Sequence, residues 1–406
     1  VFAEDIFNFS DLSPLKSVLH RIVTSSRGTV VVLGGSETAG IDCVQRPEVV
    51  GKGCAWSARF AVWLAEVFPN ASIRLLNFAQ GGTTSSVILG GIGALLVGEA
   101  SKADIIFVDT LVNDAHESRM WGNSGSIQVS EGSSFLAVSY EALLRSLFEL
   151  CPHASVIPLL SACGPACASA RVPHVAVARH YKLPVVDISH SSLPGWVTNW
   201  KKMHPPWQVH QVIADMLAIL CARTWSMDSI HTLWTSQALG LPMSHQRDLD
   251  KFPTCLSPLS AYISNDPNSS RPRVISGDWK LYEDRRGKPG WISQEANSCL
   301  RFPLQFGIAP RLAVTFLRSY TNISDMSLLI AGRTIQLGSH WDDPSQHVSQ
   351  SYTKFFNAET DMLQEGYQGN GVLGLDIKPN SRLDADFVLL KGVGMLKAKL
   401  ISVVAC

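Results

Sequence analysis

A serine hydroxyl is an effective nucleophile only when a base takes its proton as the new bond forms. The oxygen that turns negative in the resulting intermediate also needs donors aimed at it. The first half of the sequence holds residues of the right types for both tasks. Ser36 lies in Gly34-Gly35-Ser36-Glu37-Thr38-Ala39-Gly40, directly after the apolar run Thr29–Leu33. Gly82 lies in Asn77-Phe78-Ala79-Gln80-Gly81-Gly82-Thr83-Thr84-Ser85, and Asn113 in Val108-Asp109-Thr110-Leu111-Val112-Asn113-Asp114. His204 opens His204-Pro205-Pro206-Trp207. The chemistry this set could do is acyl transfer, with Ser36 as nucleophile and His204 as base. The N–H of Ser36, the N–H of Gly82 (a glycine lets backbone approach closely) and the side-chain amide of Asn113 would hold the oxyanion.

Positioning such a set requires strands that end on one rim. Short apolar runs recur at Thr29–Leu33, Ile73–Asn77, Ile105–Asp109, Val156–Leu160 and Val185–Ile188. Helical patterns lie between them at Trp56–Phe68 and Tyr140–Leu150, with an irregular Gly-rich segment through Val97. Apolar strands alternating with amphipathic helices indicate a parallel sheet covered on both faces. Ligands bind such sheets at the carboxyl ends of the strands, and Ser36, Gly82 and Asn113 all follow strand ends. Pro205 and Pro206 suit the first turn of a helix over Trp207–Cys221, which would hold the His204 imidazole near that helix's start. From residue 274 onward, Leu312–Leu317, Ser327–Ile330, Thr334–Leu337, Val372–Leu375, Phe387–Leu390 and Met395–Val404 read as strands of a β-rich, sandwich-like domain. The expected divisions are a lead segment over 1–27, an α/β domain over 28–226, a Pro-, Ser-, Asn- and Asp-rich connection over 227–273, and the β-rich domain over 274–406.

These islands resemble the blocks of the SGNH (GDSL-type) hydrolase superfamily. Ser36 matches the serine of the first block, Gly82 the glycine of the second, Asn113 the asparagine of the third, and His204-Pro205 the histidine block. The resemblance implies a three-layer α/β/α, flavodoxin-like parallel sheet. The Arg318-Ser319-Tyr320 and Lys288-Pro289-Gly290-Trp291 segments are similar to C-terminal modules of SGNH-like proteins of algae and other microbial eukaryotes. Three positions depart from the family pattern. Gly35 replaces an aspartate, Leu111 replaces a glycine, and Lys201 stands three before His204, where the family carries the acid that orients the histidine. Another acid, for which Asp187 is one possibility, or a backbone carbonyl then has to serve.

Other uses of the same residues fit less well. No Gly-Lys-Ser/Thr follows the Ser36 turn, Gly91-Ile92-Gly93 lacks dinucleotide spacing, and Thr38 occupies the second glycine position of an α/β-hydrolase nucleophile elbow. His116, His180 and His190 show no metal-ligand pattern, so neither metal nor cofactor is expected. His210, inside the helix, reads as a packing or hydrogen-bonding residue. Trp196, Trp200 and Trp207 crowd the histidine block, either as a sugar-stacking wall or as core.

Lysine plus arginine balance aspartate plus glutamate at 34 each, so no global field favours nucleic acid. The apolar runs are too short to span a bilayer. Among nine cysteines, Cys43 with Cys54 and Cys163 with Cys167 are spaced for short disulfides, which indicates an oxidising, lumenal or extracellular compartment. Sequons at Asn8, Asn70, Asn268 and Asn322 agree with that setting. The chain starts at Val1 rather than methionine, so an N-terminal segment is expected to have been removed, by processing or by design of the expressed chain. The leading expectation is an ester hydrolase or acyl transferase acting on a small acyl group such as acetyl, carried on a glycan. The alternative is a catalytically weak scaffold for carbohydrate or protein binding, or for assembly through the β-rich domain.

Overall fold

The computed structural model describes residues 7–8, 11–123, 129–161, 167–188, 193–200, 204–227, 240–244, 246–250, 252, 254–266, 269–285, 287–341, 348–357, 373–390 and 397–406. The chain divides into two compact units. One comprises Val1–Ser85, Leu96–Arg119 and Gln128–Ser244; the other comprises Ser86–Leu95, Met120–Ile127 and His245–Cys406.

In chain order, the elements up to residue 244 are β1 (Phe7–Asn8), α1 (Ser13–Ser25), β2 (Arg27–Gly34), β3 (Val44–Arg46), β4 (Val49–Val50), α2 (Trp56–Val67), β5 (Ser72–Asn77), α3 (Ser85–Leu95), β6 (Ile105–Asp109), α4 (Leu111–Asn123), α5 (Val129–Leu150), β7 (Ser155–Leu160), α6 (Ala168–His180), β8 (Val185–Asp187), α7 (Gly195–Thr198) and α8 (Trp207–Ser226). The sheet order is β1-β8-β7-β6-β2-β5. All neighbours are parallel except β1 against β8. β6 and β7 are buried along their whole length, which is why they read as continuous apolar runs. Val30, Val32, Ile105, Phe107, Ile157 and Leu159 point to one face, where they join Leu15, Leu19 and Ile22 of α1, Phe60 and Leu64 of α2, and Leu217 of α8 in one core. This is the three-layer α/β/α SGNH-type sheet. The chain leaves β2 toward β5 on one side and reaches β6 on the other, so the carboxyl ends of β2 and β6 form the switch point where α/β sheets take ligands. Gly34 pairs with Asp109 at that point.

Two elements differ from the sequence reading. The Gly-rich segment taken as irregular is the helix α3, and the helix expected at Tyr140–Leu150 extends back to Val129. The glycines of α3 are there for packing. A Cβ on Gly90 would lie 2.7 Å from Thr353 Cγ2, and one on Gly93 would lie 2.1 Å from the Cys255 carbonyl oxygen. The lead segment contributes α1 to the core.

The second unit contains α9 (Gln246–Leu249), β9 (Ser260–Ile263), β10 (Arg273–Ser276), β11 (Lys280–Glu283), β12 (Pro289–Ser293), β13 (Cys299–Gln305), β14 (Arg311–Arg318), β15 (Met326–Ile330), β16 (Arg333–Leu337), β17 (Gln350–Asn357), β18 (Leu373–Gly374), β19 (Arg382–Leu389) and β20 (Ala398–Ala405). One sheet runs β10-β13-β19-β15-β16, and the other runs β11-β12-β20-β14-β17-β18 with β9 also paired to β20. Inward residues of both, among them Trp291, Phe302, Phe316, Phe356 and Phe387, form a single sandwich core. β9 arises within the stretch expected to be a connection. Cys255 is joined to Cys406, which ties the start of this unit to its last residue.

The two motifs singled out in this half have packing roles. The Arg318 guanidinium lies over Trp341 at 4.4 Å and over Tyr352 at 5.2 Å. Gly290 leaves room for Lys399, whose Cε lies 2.6 Å from where a Cβ would sit. Trp291 is buried in the core.

Candidate active site

The turn after β2 is shaped by glycine. A Cβ on Gly34 would meet the Asp109 carbonyl oxygen at 2.5 Å and Thr38 Oγ1 at 2.8 Å, so only glycine fits. The Gly35 N–H donates to the Asp109 carbonyl at 3.2 Å. The chain then coils, with Ala39 N–H donating to the Gly35 carbonyl at 2.9 Å and Ile41 N–H to the Ser36 carbonyl at 3.0 Å. Ser36 sits half-buried on this turn.

Beneath it the Asp109 carboxylate accepts hydrogen bonds from Thr38 Oγ1 and from Ser161 Oγ at 2.8 Å. Burial pushes Asp109 up to about 6 despite those donors. The Glu37 carboxyl, enclosed although the residue as a whole is only half-buried, is raised well above the usual carboxylate range by burial and by Asp109.

The second wall of the site comes from the loop between β5 and α3. Phe78 N–H donates to the Val32 carbonyl at 2.9 Å and Gln80 N–H to the Gly34 carbonyl at 3.0 Å, which folds this loop back onto the end of β2. Gly82 follows with φ +79, a left-handed conformation that glycine adopts without strain.

Asn113 and Asp114, in the first turn of α4, fix the next residues. Asn113 Nδ2 donates to the Thr83 carbonyl at 2.9 Å. Asp114 accepts from the Ser85 N–H at 2.8 Å and from Ser85 Oγ at 2.6 Å, capping α3 from outside the helix. His174 Nε2 lies 2.9 Å from Asp114 Oδ2, close but too poorly aligned for a hydrogen bond, with its ring stacked on Tyr140. The Asn113 amide also crosses the Ser36 turn. Its Nδ2 lies 2.0 Å from where a Cβ on Gly35 would be. A side chain at position 35, aspartate included, would take the space that holds the amide.

His204 is held from the Ser36 turn. Its Nδ1 lies 2.8 Å from Asp42 Oδ2, and Asp42 directly follows Ile41, whose N–H bonds the Ser36 carbonyl. Asp42 has φ +62 and precedes Cys43, which is joined to Cys54 as the spacing suggested. Arg59 on α2 ties this disulfide loop to α8. It donates to the Cys54 carbonyl at 2.9 Å and to Gln211 Oε1 at 2.7 Å, and it lies over the Trp207 ring at 5.5 Å. His210, on the same helix, has the structural role the sequence suggested: its Nδ1 accepts the Trp56 N–H at 3.3 Å.

Burial first, then Arg59 and His204, bring His210 down to about 4. An unfolded histidine takes up its proton near 6.5, so the stability tied to neutral His210 is complete above about 6.5 and is lost as pH falls toward 4. The size is about 3 kcal/mol. Asp109 acts in the opposite sense, because a raised carboxylate favours the fold as pH falls through about 6. The contribution of His210 is therefore read as a difference. His210→Gln, which keeps an acceptor for Trp56, is expected to lose less stability than the wild type between pH 7 and pH 4.5 in urea unfolding.

The structure thus links His204 to the Ser36 turn through Asp42, and Gly82 to Asn113 through Thr83. Asp187, one of the acids considered for orienting the histidine, is ion-paired with Arg171 instead. Lys201, Cys163, His190 and Asn268 lie outside the described residues, and so does the side chain of Asn8. Cys167 is disulfide-bonded. Asn70 and Asn322 are exposed. Of the three tryptophans, Trp200 packs on the core, Trp207 lies beneath Arg59, and Trp196 is 53% exposed. Among the described residues no cluster of His, Cys, Asp and Glu could hold a metal ion, and no helix is long and apolar enough to cross a membrane. Sequence reading missed Asp42, which no local pattern marks. Its one hint is that aspartate tolerates a left-handed backbone better than most residues.

No family model matches the sequence, and a comparison with curated proteins finds no match. Solved structures do match. A two-domain esterase (CEX) active on acetylated mannans, co-crystallised with mannopentaose, aligns at 17% identity with TM-score 0.63, covering 98% of this chain and 95% of that one. A second crystal structure of a two-domain esterase (CEX) active on acetylated mannans aligns at 16% identity with TM-score 0.60, covering 97% and 95%. At this identity the likeness speaks for the fold, and over nearly its whole length the chain has the fold of a two-domain esterase, an SGNH-type α/β/α unit followed by a β-rich one.

Proposed function

We propose that the protein is an SGNH-type serine esterase that removes small acyl groups, acetyl above all, from glycans. The observation that carries this reading is the bond from His204 Nδ1 to the turn that holds Ser36. With Nδ1 engaged, Nε2 is the nitrogen left to take the serine proton. Ser36 Oγ attacks the ester carbonyl as Nε2 accepts its proton. The N–H groups of Ser36 and Gly82 and the Asn113 amide stabilise the tetrahedral oxyanion. His204 then returns the proton to the departing sugar hydroxyl, leaving an acyl-serine. Water, activated by the same nitrogen, releases the acid and regenerates Ser36; a second sugar hydroxyl in place of water would make the reaction a transfer.

Glycan substrates are supported by the acetylated-mannan activity of the esterase that shares the fold. Disulfides at Cys43–Cys54 and Cys255–Cys406 support a secreted or lumenal setting, as do the exposed sequons at Asn70 and Asn322. The test is acetate release from acetylated mannan and acetylated xylan, beside p-nitrophenyl acetate and octanoate. Acetate release with a preference for the two-carbon ester is expected. Glycan binding without release of acetate from any substrate would favour the scaffold instead.

A further inference from the structure

We infer that Asp42 is the positioning acid of His204, placed on the nucleophile's own turn rather than three residues before the histidine. The inference rests on the Ser36–His204 reading above. A carboxylate on Nδ1 fixes the tautomer that carries its proton there, orients the ring, and stabilises the imidazolium that forms when Nε2 takes the serine proton. Asp42 Oδ2 makes that contact at 2.8 Å. Asp187, the acid named from the sequence, is paired with Arg171. Nearby, His210 of α8 feels both His204 and Arg59 of α2.

Although the Asp42 side chain is 69% exposed while that of His204 is 12% exposed, the backbone beneath it is tightly held. Cys43 N–H donates to the Gly40 carbonyl at 3.0 Å, Gly51 N–H donates to the Cys43 carbonyl at 3.0 Å, and the Cys43–Cys54 bond closes the loop. An exposed ion pair adds little to folding, so the geometry serves orientation. Water screens this carboxylate more than a buried one, so its removal is expected to matter less than the loss of a buried triad acid.

Asp42→Asn suits the left-handed backbone and should melt as the wild type does. It is expected to lower kcat for p-nitrophenyl acetate by about 10²-fold with KM held. Asp42→Gly is also compatible with φ +62 and opens the exposed space, where added formate should restore part of the activity. A merely structural role would give neither the fall in kcat at constant KM nor the rescue. Wild-type kcat in Asp42→Asn, while Ser36→Ala and His204→Ala are inactive, would overturn this inference and leave the Ser36–His204 reading standing. Wild-type activity in Ser36→Ala and His204→Ala would remove that reading, and this one with it.

Discussion

Ser36→Ala is expected to lower kcat for a short-chain ester on the order of 10⁴- to 10⁶-fold while leaving the fold intact. Ser36 is half-buried on a turn held by backbone hydrogen bonds and by Thr38 Oγ1 on Asp109, so deleting its hydroxyl removes chemistry without removing these supports. His204→Ala should fall by a similar factor, because without a base the serine proton has nowhere to go. The double variant is expected to be scarcely worse than either single one, since nucleophile and base act as a unit. Initial rates with p-nitrophenyl acetate, together with thermal melts of each variant, check all three.

Gly35→Ala is the second large effect, and it comes from a residue with no reactive atom. Its new Cβ would sit 2.0 Å from Asn113 Nδ2, a separation no real pair of atoms sustains, so the amide has to leave. Asn113 is buried and bonded to the Thr83 carbonyl, and its displacement would disturb both the amide and the loop that carries Gly82. Loss of an oxyanion donor costs about 10²- to 10³-fold in kcat, and Gly35→Ala is expected to reach that range. Gly35→Asp, which writes the superfamily's usual first block into this chain, should do at least as much damage. Gly53→Ala is the control, because a Cβ there meets nothing within 4 Å. kcat and KM for the three variants decide the matter, and near-wild-type kcat in Gly35→Ala would remove Asn113 from the oxyanion site.

The parts of the fold legible in the sequence are those whose burial leaves a compositional trace. β6 and β7 are apolar without interruption because helices cover both faces, and the runs Ile105–Asp109 and Val156–Leu160 mark them almost to the residue. The Ser36, Gly82, Asn113 and His204 blocks were visible for a related reason, each sitting at the point where a strand or helix begins or ends. α3 was not legible. Its glycines look like breaks, and only Thr353 and the Cys255 carbonyl, far off in the sequence, explain why side chains are excluded at Gly90 and Gly93.

The same distance hid Asp42, whose contact with His204 spans 162 positions, and the Cys255–Cys406 pairing, which spans 151. Local spacing points to position 201, which is a lysine, whereas the carboxylate on His204 comes from beside Ser36. Gly35 does not explain itself from the sequence alone, because the side chain that excludes a Cβ there, Asn113, is far off in the chain.

The central claim is that Ser36 is a nucleophile activated by His204. The most direct measurement is reaction of the purified protein with a fluorophosphonate probe, followed by peptide mass mapping of the adduct. The account expects stoichiometric phosphonylation at Ser36, no labelling in Ser36→Ala, and labelling slowed by several orders of magnitude in His204→Ala. An unlabelled wild-type protein, or an adduct on another residue with ester hydrolysis undiminished in Ser36→Ala, would contradict it.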